Sequence, residues 1–297
     1  MDSKRFVVLE RAVVYLILIG CFVGLSFVDL DITLKVYDPN DAFARLFEYI
    51  GEQPFQFMTV VASALLFRLR PKDALWKNIL FGFVFTVLTV FFAGYAGGQM
   101  YSYANGFGHG KLPYLFLGVT LLYVLFGVLI AYLIKIKDAK RMFAYALSVA
   151  LLYALVWLVM TGVKVIWQRP RWRYLVTTDD PIGGFHSVWS PSPNWPFRSI
   201  YASFPSGHTM NAVGAMVLIP LLKEELSLKS TFPLRIAVYL WSLLTALARV
   251  IIGAHFASDV SMGFILGLAL YDLTFSLLFP TFEKAFRRTE IGDVYRD

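Results

Sequence analysis

Cysteine is almost absent from this chain: Cys21 is the single one among 297 residues. That excludes an internal disulfide and any metal site built on paired cysteines. Charge is scarce as well. Lys, Arg, Asp and Glu make up 16% of the residues, against about 25% in an average soluble domain. The net charge of +7 is not gathered into a cluster with the spacing that reads DNA or RNA, so no nucleic-acid partner is expected. There is no internal repeat and no low-complexity tail. What fills the chain instead is apolar: 58% of residues are hydrophobic and the mean hydropathy is +0.63. The composition describes one integral membrane domain over residues 1–297.

A helix needs about 20 apolar residues to cross a bilayer. Eight runs qualify or nearly do: 12–28, 54–67, 79–97, 114–134, 142–163, 206–222, 236–252 and 260–278. The second is the shortest. The fold class expected is therefore all-α, a polytopic transmembrane bundle of about eight spans. The first run has no small-residue cleavage site after it and reads as an uncleaved span. With the N-terminus placed in the cytoplasm, two thirds of the 27 Lys and Arg fall in inner segments. That is the positive-inside bias, and it puts both termini in the cytoplasm. The outer segments are then 29–53, which is acid-rich, 98–113, rich in Gly and Tyr and expected as a loop, and 169–205. The last carries Phe185, Trp172, Trp189, Trp195 and Phe197, aromatics that favour the membrane interface.

Three groups of polar residues stand at the outer ends of these runs. Lys164 and Arg171 close the fifth, with Arg169 and Arg173 beside them. Pro205-Ser206-Gly207-His208 opens the sixth. Arg249 closes the seventh, and His255 and Asp259 lead into the eighth. Ser206 suits a helix cap, and the bare N–H groups at a helix start make an anion seat, which Gly207 lets a ligand approach closely. His208 at its edge can donate a proton to a leaving oxygen. His255 and Asp259 are four residues apart, so on a helical turn they share a face. The carboxylate would then fix the imidazole tautomer and leave one nitrogen to attack. Arg249 can hold phosphate oxygens in a fork, and Lys164 and Arg171 supply further positive charge. Taken singly, each group also reads as ordinary structure: a capped helix, a snorkelling arginine, flanking cations. Their convergence from four helix ends on one side is what favours a site. His109 and His186 lie in outer loops without spaced Cys or carboxylates, so no metal or cofactor is expected.

The order Lys164…Arg171, Pro205-Ser206-Gly207-His208, Arg249…His255…Asp259 resembles the type 2 phosphatidic acid phosphatase superfamily. Its members include membrane lipid phosphatases, glucose-6-phosphatases and vanadium haloperoxidases. The resemblance covers Lys164 to Asp259, about a third of the chain. It implies a catalytic core over 142–279, preceded by additional helices over 12–134. It also implies metal-free chemistry through a phosphohistidine. His255 would be the nucleophile, Asp259 its orienting group and His208 the acid. Lys164, Arg171, Ser206, Gly207 and Arg249 would bind phosphate. Two positions depart from the pattern. The family's first block ends Arg-Pro, which occurs here at Arg169-Pro170, so Arg169 competes with Arg171 for that role. The third block opens Ser-Arg in the family and Ala248-Arg249 here.

The expected function is hydrolysis of a lipid phosphate or diphosphate at the outer face of a plasma membrane. Isoprenyl diphosphate, phosphatidic acid and phosphatidylglycerophosphate are candidate substrates. The alternatives are a phosphotransferase to an acceptor alcohol, a sugar-phosphate phosphatase, and a lipid-phosphate binding or transport protein.

Overall fold

In lipid, a backbone that cannot reach water has to bond to itself, and a helix does so within one segment. The computed structural model describes residues 3–106, 113–193, 197–226 and 230–288, and shows helices and turns with no strand among them. In order they are α1 (Ser3–Ser26), α2 (Asp29–Val36), α3 (Ala42–Ile50), α4 (Gln53–Arg68), α5 (Leu75–Gly106), α6 (Pro113–Leu133) and α7 (Ala139–Trp167). Then come α8 (Trp172–Leu175), α9 (Gly207–Gly214), α10 (Leu218–Glu225), α11 (Phe232–Ile251), α12 (Ala257–Leu273) and α13 (Phe279–Phe286).

Each expected span falls on helix. Among the described residues, six stretches are long and apolar enough to cross a membrane: 5–26, 75–104, 113–133, 139–167, 232–251 and 257–286. The second expected span is α4, which has 16 residues and is buried along most of its length. The sixth is broken: α9 stops at Gly214, and a tight turn over Ala215–Val217 leads into α10. The eighth outruns expectation, passing through a wide turn at Thr274–Leu278 into α13. The loop expected over 98–113 is helical as far as Gly106. There the polar side chains bond along the helix, Gln99 to the Tyr95 hydroxyl at 2.7 Å and Ser102 to the Gly98 carbonyl at 2.8 Å. Residues 107–112, with His109, and residues 194–196, with Trp195, lie outside the described residues.

The chain forms two compact units. One comprises residues 52–155, 214–237 and 270–297. In it α4 packs on α5 and α6, and Phe55 and Phe92 both meet the Tyr153 ring, with centroids 5.4 and 5.3 Å away. The other comprises residues 1–51, 156–213 and 238–269. It holds α1, α2 and α3 together with all three polar blocks.

The acid-rich segment of that second unit is structured by its own sequence. Asp41 caps α3, its carboxylate accepting the Ala44 N–H at 2.7 Å. The helix is amphipathic, and Ala44 and Phe47 bury against Ala248, Ile252 and Ala254. Trp241 of α11 donates its indole N–H to the Gly51 carbonyl at 2.8 Å. Ala248, where the family has serine, is fully enclosed in this contact, so its missing hydroxyl is matched by an apolar neighbourhood. On α2, Ile32 packs on Ala246, Val250 and Val260, and Leu30 on Trp172, Leu175 and Phe256.

Candidate active site

The turn between α11 and α12 brings the third block together. Gly253 sits at φ +63°, a conformation that suits glycine, and a Cβ there would lie 2.7 Å from the Tyr37 ring. The left-handed residue ends α11 and turns the chain back. As a result Ala254 and His255 both donate their N–H groups to the Arg249 carbonyl, at 3.1 and 3.2 Å. His255 thus precedes α12 rather than lying on it. Asp259, in the first turn of α12, reaches back to accept the Phe256 N–H at 2.9 Å, one half of a capping box.

The expected His255–Asp259 pair is close but carries no direct hydrogen bond. His255 Nδ1 lies 4.0 Å from Asp259 Oδ2, and its hydrogen bond goes to the Ser203 carbonyl at 2.5 Å. Asp259 acts on the histidine through Ser203, whose hydroxyl donates to Oδ2 at 2.6 Å. A carbonyl only accepts, so His255 Nδ1 carries the proton and Nε2 carries the lone pair.

Arg169 has a different task from Arg171. It is 1% exposed. Its guanidinium donates to Asp259 Oδ1 (2.6 Å), Asp29 Oδ2 (2.9 Å), Ser258 Oγ (3.0 Å) and the His186 carbonyl (2.8 Å), and it lies 4.1 Å over the Phe256 ring. Asp29 also accepts the Ser258 N–H at 2.8 Å and bonds the Ser258 hydroxyl. Burial raises the Asp29 pKa above its ordinary value; Arg169 opposes the rise and Asp259 adds to it. Arg171 caps α8, its N–H donating to the Ile200 carbonyl at 3.0 Å and its guanidinium to the Ala202 carbonyl at 3.3 Å.

Lys164, Arg171, Arg249 and His208 all stand close enough to His255 to act on its charge. His255 is almost fully enclosed, and burial is the largest cause of a pKa held well below the usual histidine value. Arg171, Arg249, Lys164 and His208 push it further down. It is therefore neutral near pH 7. Arg249, 1% exposed, has Nη1 2.7 Å from Glu48 Oε1, while its Nε–H has no hydrogen-bond partner among the described residues. Glu48 also pairs with Arg173 at 3.0 Å. Burial works to raise its pKa, but Arg249 and Arg173 outweigh that and hold it below the ordinary value. His208 Nε2 sits 3.3 Å from the Glu48 carbonyl.

At the start of α9, Ser206 caps the helix: its Oγ lies 3.0 Å from Thr209 Oγ1 and 3.4 Å from the Thr209 N–H. A Cβ at Gly207 would sit 2.2 Å from Met160 Sδ and 3.5 Å from Lys164 Nζ, so a larger residue would have to displace the Met160 side chain. All eight expected site residues therefore fall in one unit. Asp29, Glu48 and Ser203 were missed. The two carboxylates had a signal in the acid-rich outer segment of a chain otherwise poor in charge. Ser203 acts on His255 through its main chain and had none. No group of three or more His, Cys, Asp or Glu able to hold a metal occurs among the described residues.

The fold and the cluster define a membrane-helical protein with a buried neutral histidine ringed by cations. Residues 141–282 match the sequence model of the PAP2 superfamily, to which this stretch of the chain is similar. The match supports a phosphatase-type activity on phosphate esters. No solved structure matches the chain.

Proposed function

We propose that this protein is a metal-independent lipid phosphatase of the plasma membrane, hydrolysing a phosphate monoester or diphosphate at the extracytoplasmic face. The observation that carries the reading is the state of His255: Nδ1–H held by the Ser203 carbonyl, Nε2 unprotonated, and Lys164, Arg171 and Arg249 around it. Nε2 attacks phosphorus as the bond to the leaving oxygen breaks, and that oxygen takes a proton from His208, whose pKa burial and Arg249 hold low and which the negative charge of the bound phosphate brings to its protonated form. Water then attacks the phosphohistidine, giving its proton to His208, and the P–N bond breaks to release phosphate and restore neutral His255. Arg249, Arg171 and Lys164 hold the phosphoryl oxygens, whose growing charge such preorganised donors stabilise. Ser206 positions the N–H groups opening α9, which take part in the same seat. Asp259 keeps the Ser203 loop in place. The six apolar helices favour a substrate whose tail stays in lipid.

The test is release of inorganic phosphate from a panel of lipid phosphates in detergent micelles. Wild type should turn over and His255→Ala should not. Residual activity above a few per cent in the variant removes His255 as nucleophile. Absence of release by wild type rejects the hydrolase.

A further inference from the structure

The segment that carries Arg169 and Arg171 also walls a second cavity, of about 390 Å³, which the phosphate chemistry does not use. That volume lies within the range of small-molecule sites, about 300–1,000 Å³. Gln168, Tyr174, Asp180, His186, Ser192 and Tyr201 line it. Three observations mark it as built for a ligand.

Gln168 is only 3% exposed, yet its Oε1 has no hydrogen-bond partner among the described residues, while its Nε2 donates to the Val165 carbonyl at 3.1 Å. A buried polar atom left unpaired is destabilising. Gln168 also has φ +45°, the sole residue other than glycine at positive φ among the described residues. Such strain persists where surrounding structure holds it, and it gathers at ligand clamps. The lining is chemically selective too. It contains a carboxylate and no Lys or Arg, which disfavours a second phosphate. It offers hydroxyl, carboxamide and imidazole groups beside two tyrosine rings that meet edge-on at 6.0 Å.

The cavity is tied to the phosphate site by backbone. Gln168 is followed by Arg169, and Tyr201 stands two residues before Ser203, which holds His255. Ser203 N–H donates to the Arg169 carbonyl at 3.0 Å. His186, another lining residue, accepts from Arg169 through its carbonyl. We propose that this cavity binds a neutral, polyhydroxylated group, a glycosyl or glycerol unit, carried by the substrate beside its phosphate. The proposal rests on the phosphatase reading for its substrate and on the cavity alone for its ligand chemistry.

Two measurements on Tyr174→Phe/Asp180→Asn, beside wild type in detergent micelles, test it. The first is saturation-transfer NMR with methyl glucoside and glycerol as probes. Wild type should show transfer and the variant should lose it. The second compares phosphatidylglycerophosphate, which has a glycerol next to the phosphate, with phosphatidic acid, which has no such headgroup. KM for the first should rise about three- to tenfold in the variant, as loss of one or two hydrogen bonds produces, while phosphatidic acid is hydrolysed unchanged. Transfer that is absent from wild type, transfer that survives the variant, or KM values that move together for both lipids overturns the assignment. Transfer lost in the variant, with neither lipid hydrolysed by wild type, upholds the cavity and rejects the phosphatase.

Discussion

Arg169 stands between two carboxylates, and that imbalance makes an asymmetric prediction. Arg169→Met leaves Asp29 and Asp259, both buried, with no counter-charge between them. Removing one partner of a buried ion pair costs about 3–5 kcal/mol, a large part of the roughly 5–15 kcal/mol that stabilises a domain. At about 2–4 °C per kcal/mol for a chain of this size class, the unfolding midpoint should fall by on the order of 10 °C. Asp29→Asn is different. It leaves a neutral Arg169–Asp259 pair, and the amide oxygen still accepts the Ser258 N–H. The change should be smaller, about 1–3 kcal/mol: the amide nitrogen now stands where Asp29 Oδ2 accepted from Arg169 and the Ser258 hydroxyl, so those donors lose their acceptor, but no buried charge is left unpaired. The double variant Arg169→Met/Asp29→Asn should regain part of the loss, because one uncompensated carboxylate remains instead of two. The sign with pH follows from the raised Asp29 pKa. Stability from this group is full below its unfolded value, about 3.9, and is lost as pH rises through the folded value. Asp29→Asn does not titrate, so it gains on wild type as pH rises. The assay is tryptophan-detected thermal unfolding in detergent at several pH values. Asp29→Asn as damaging as Arg169→Met, or a double variant no better than Arg169→Met, refutes the reasoning.

Two further outcomes test the chemistry. Arg171→Gln removes the largest charge contribution depressing the His255 pKa, so the acid limb of the kcat/KM profile should move to higher pH; an unmoved limb, or one displaced downward, rejects that coupling. His208→Ala should slow poor leaving groups by about 100-fold or more and activated aryl phosphates far less, measured as kcat on an alkyl and a nitrophenyl phosphate; equal losses remove it as the acid.

The helices and the three blocks were legible because both depend on local pattern. Apolar runs of membrane length leave few options, and Arg249, His255 and Asp259 lie within one turn of chain. Where the reading failed, distance or the main chain was responsible. Arg169 meets Asp29 across 140 positions, and no spacing rule links them. The rivalry of Arg169 with Arg171 could not be resolved without knowing that two carboxylates converge on the first. The i, i+4 spacing of His255 and Asp259 suggested a shared helical face, but Gly253 ends one helix before them and the next starts between them. The loop expected over 98–113 had the composition of a turn, yet it is helical as far as Gly106, where Gln99 and Ser102 find partners one helical turn back, at Tyr95 and Gly98.

Ser203 bonds His255 with an atom that every amino acid possesses. Substitution at 203 can remove the hydroxyl on Asp259 but not the carbonyl on His255. For the bond to His255, what matters is the length of this segment and not the identity of residue 203. One residue gained or lost between Ile200 and Pro205 would hand His255 a different peptide unit pointing another way. A substitution at 203 leaves that carbonyl in place, whereas an insertion or deletion displaces it.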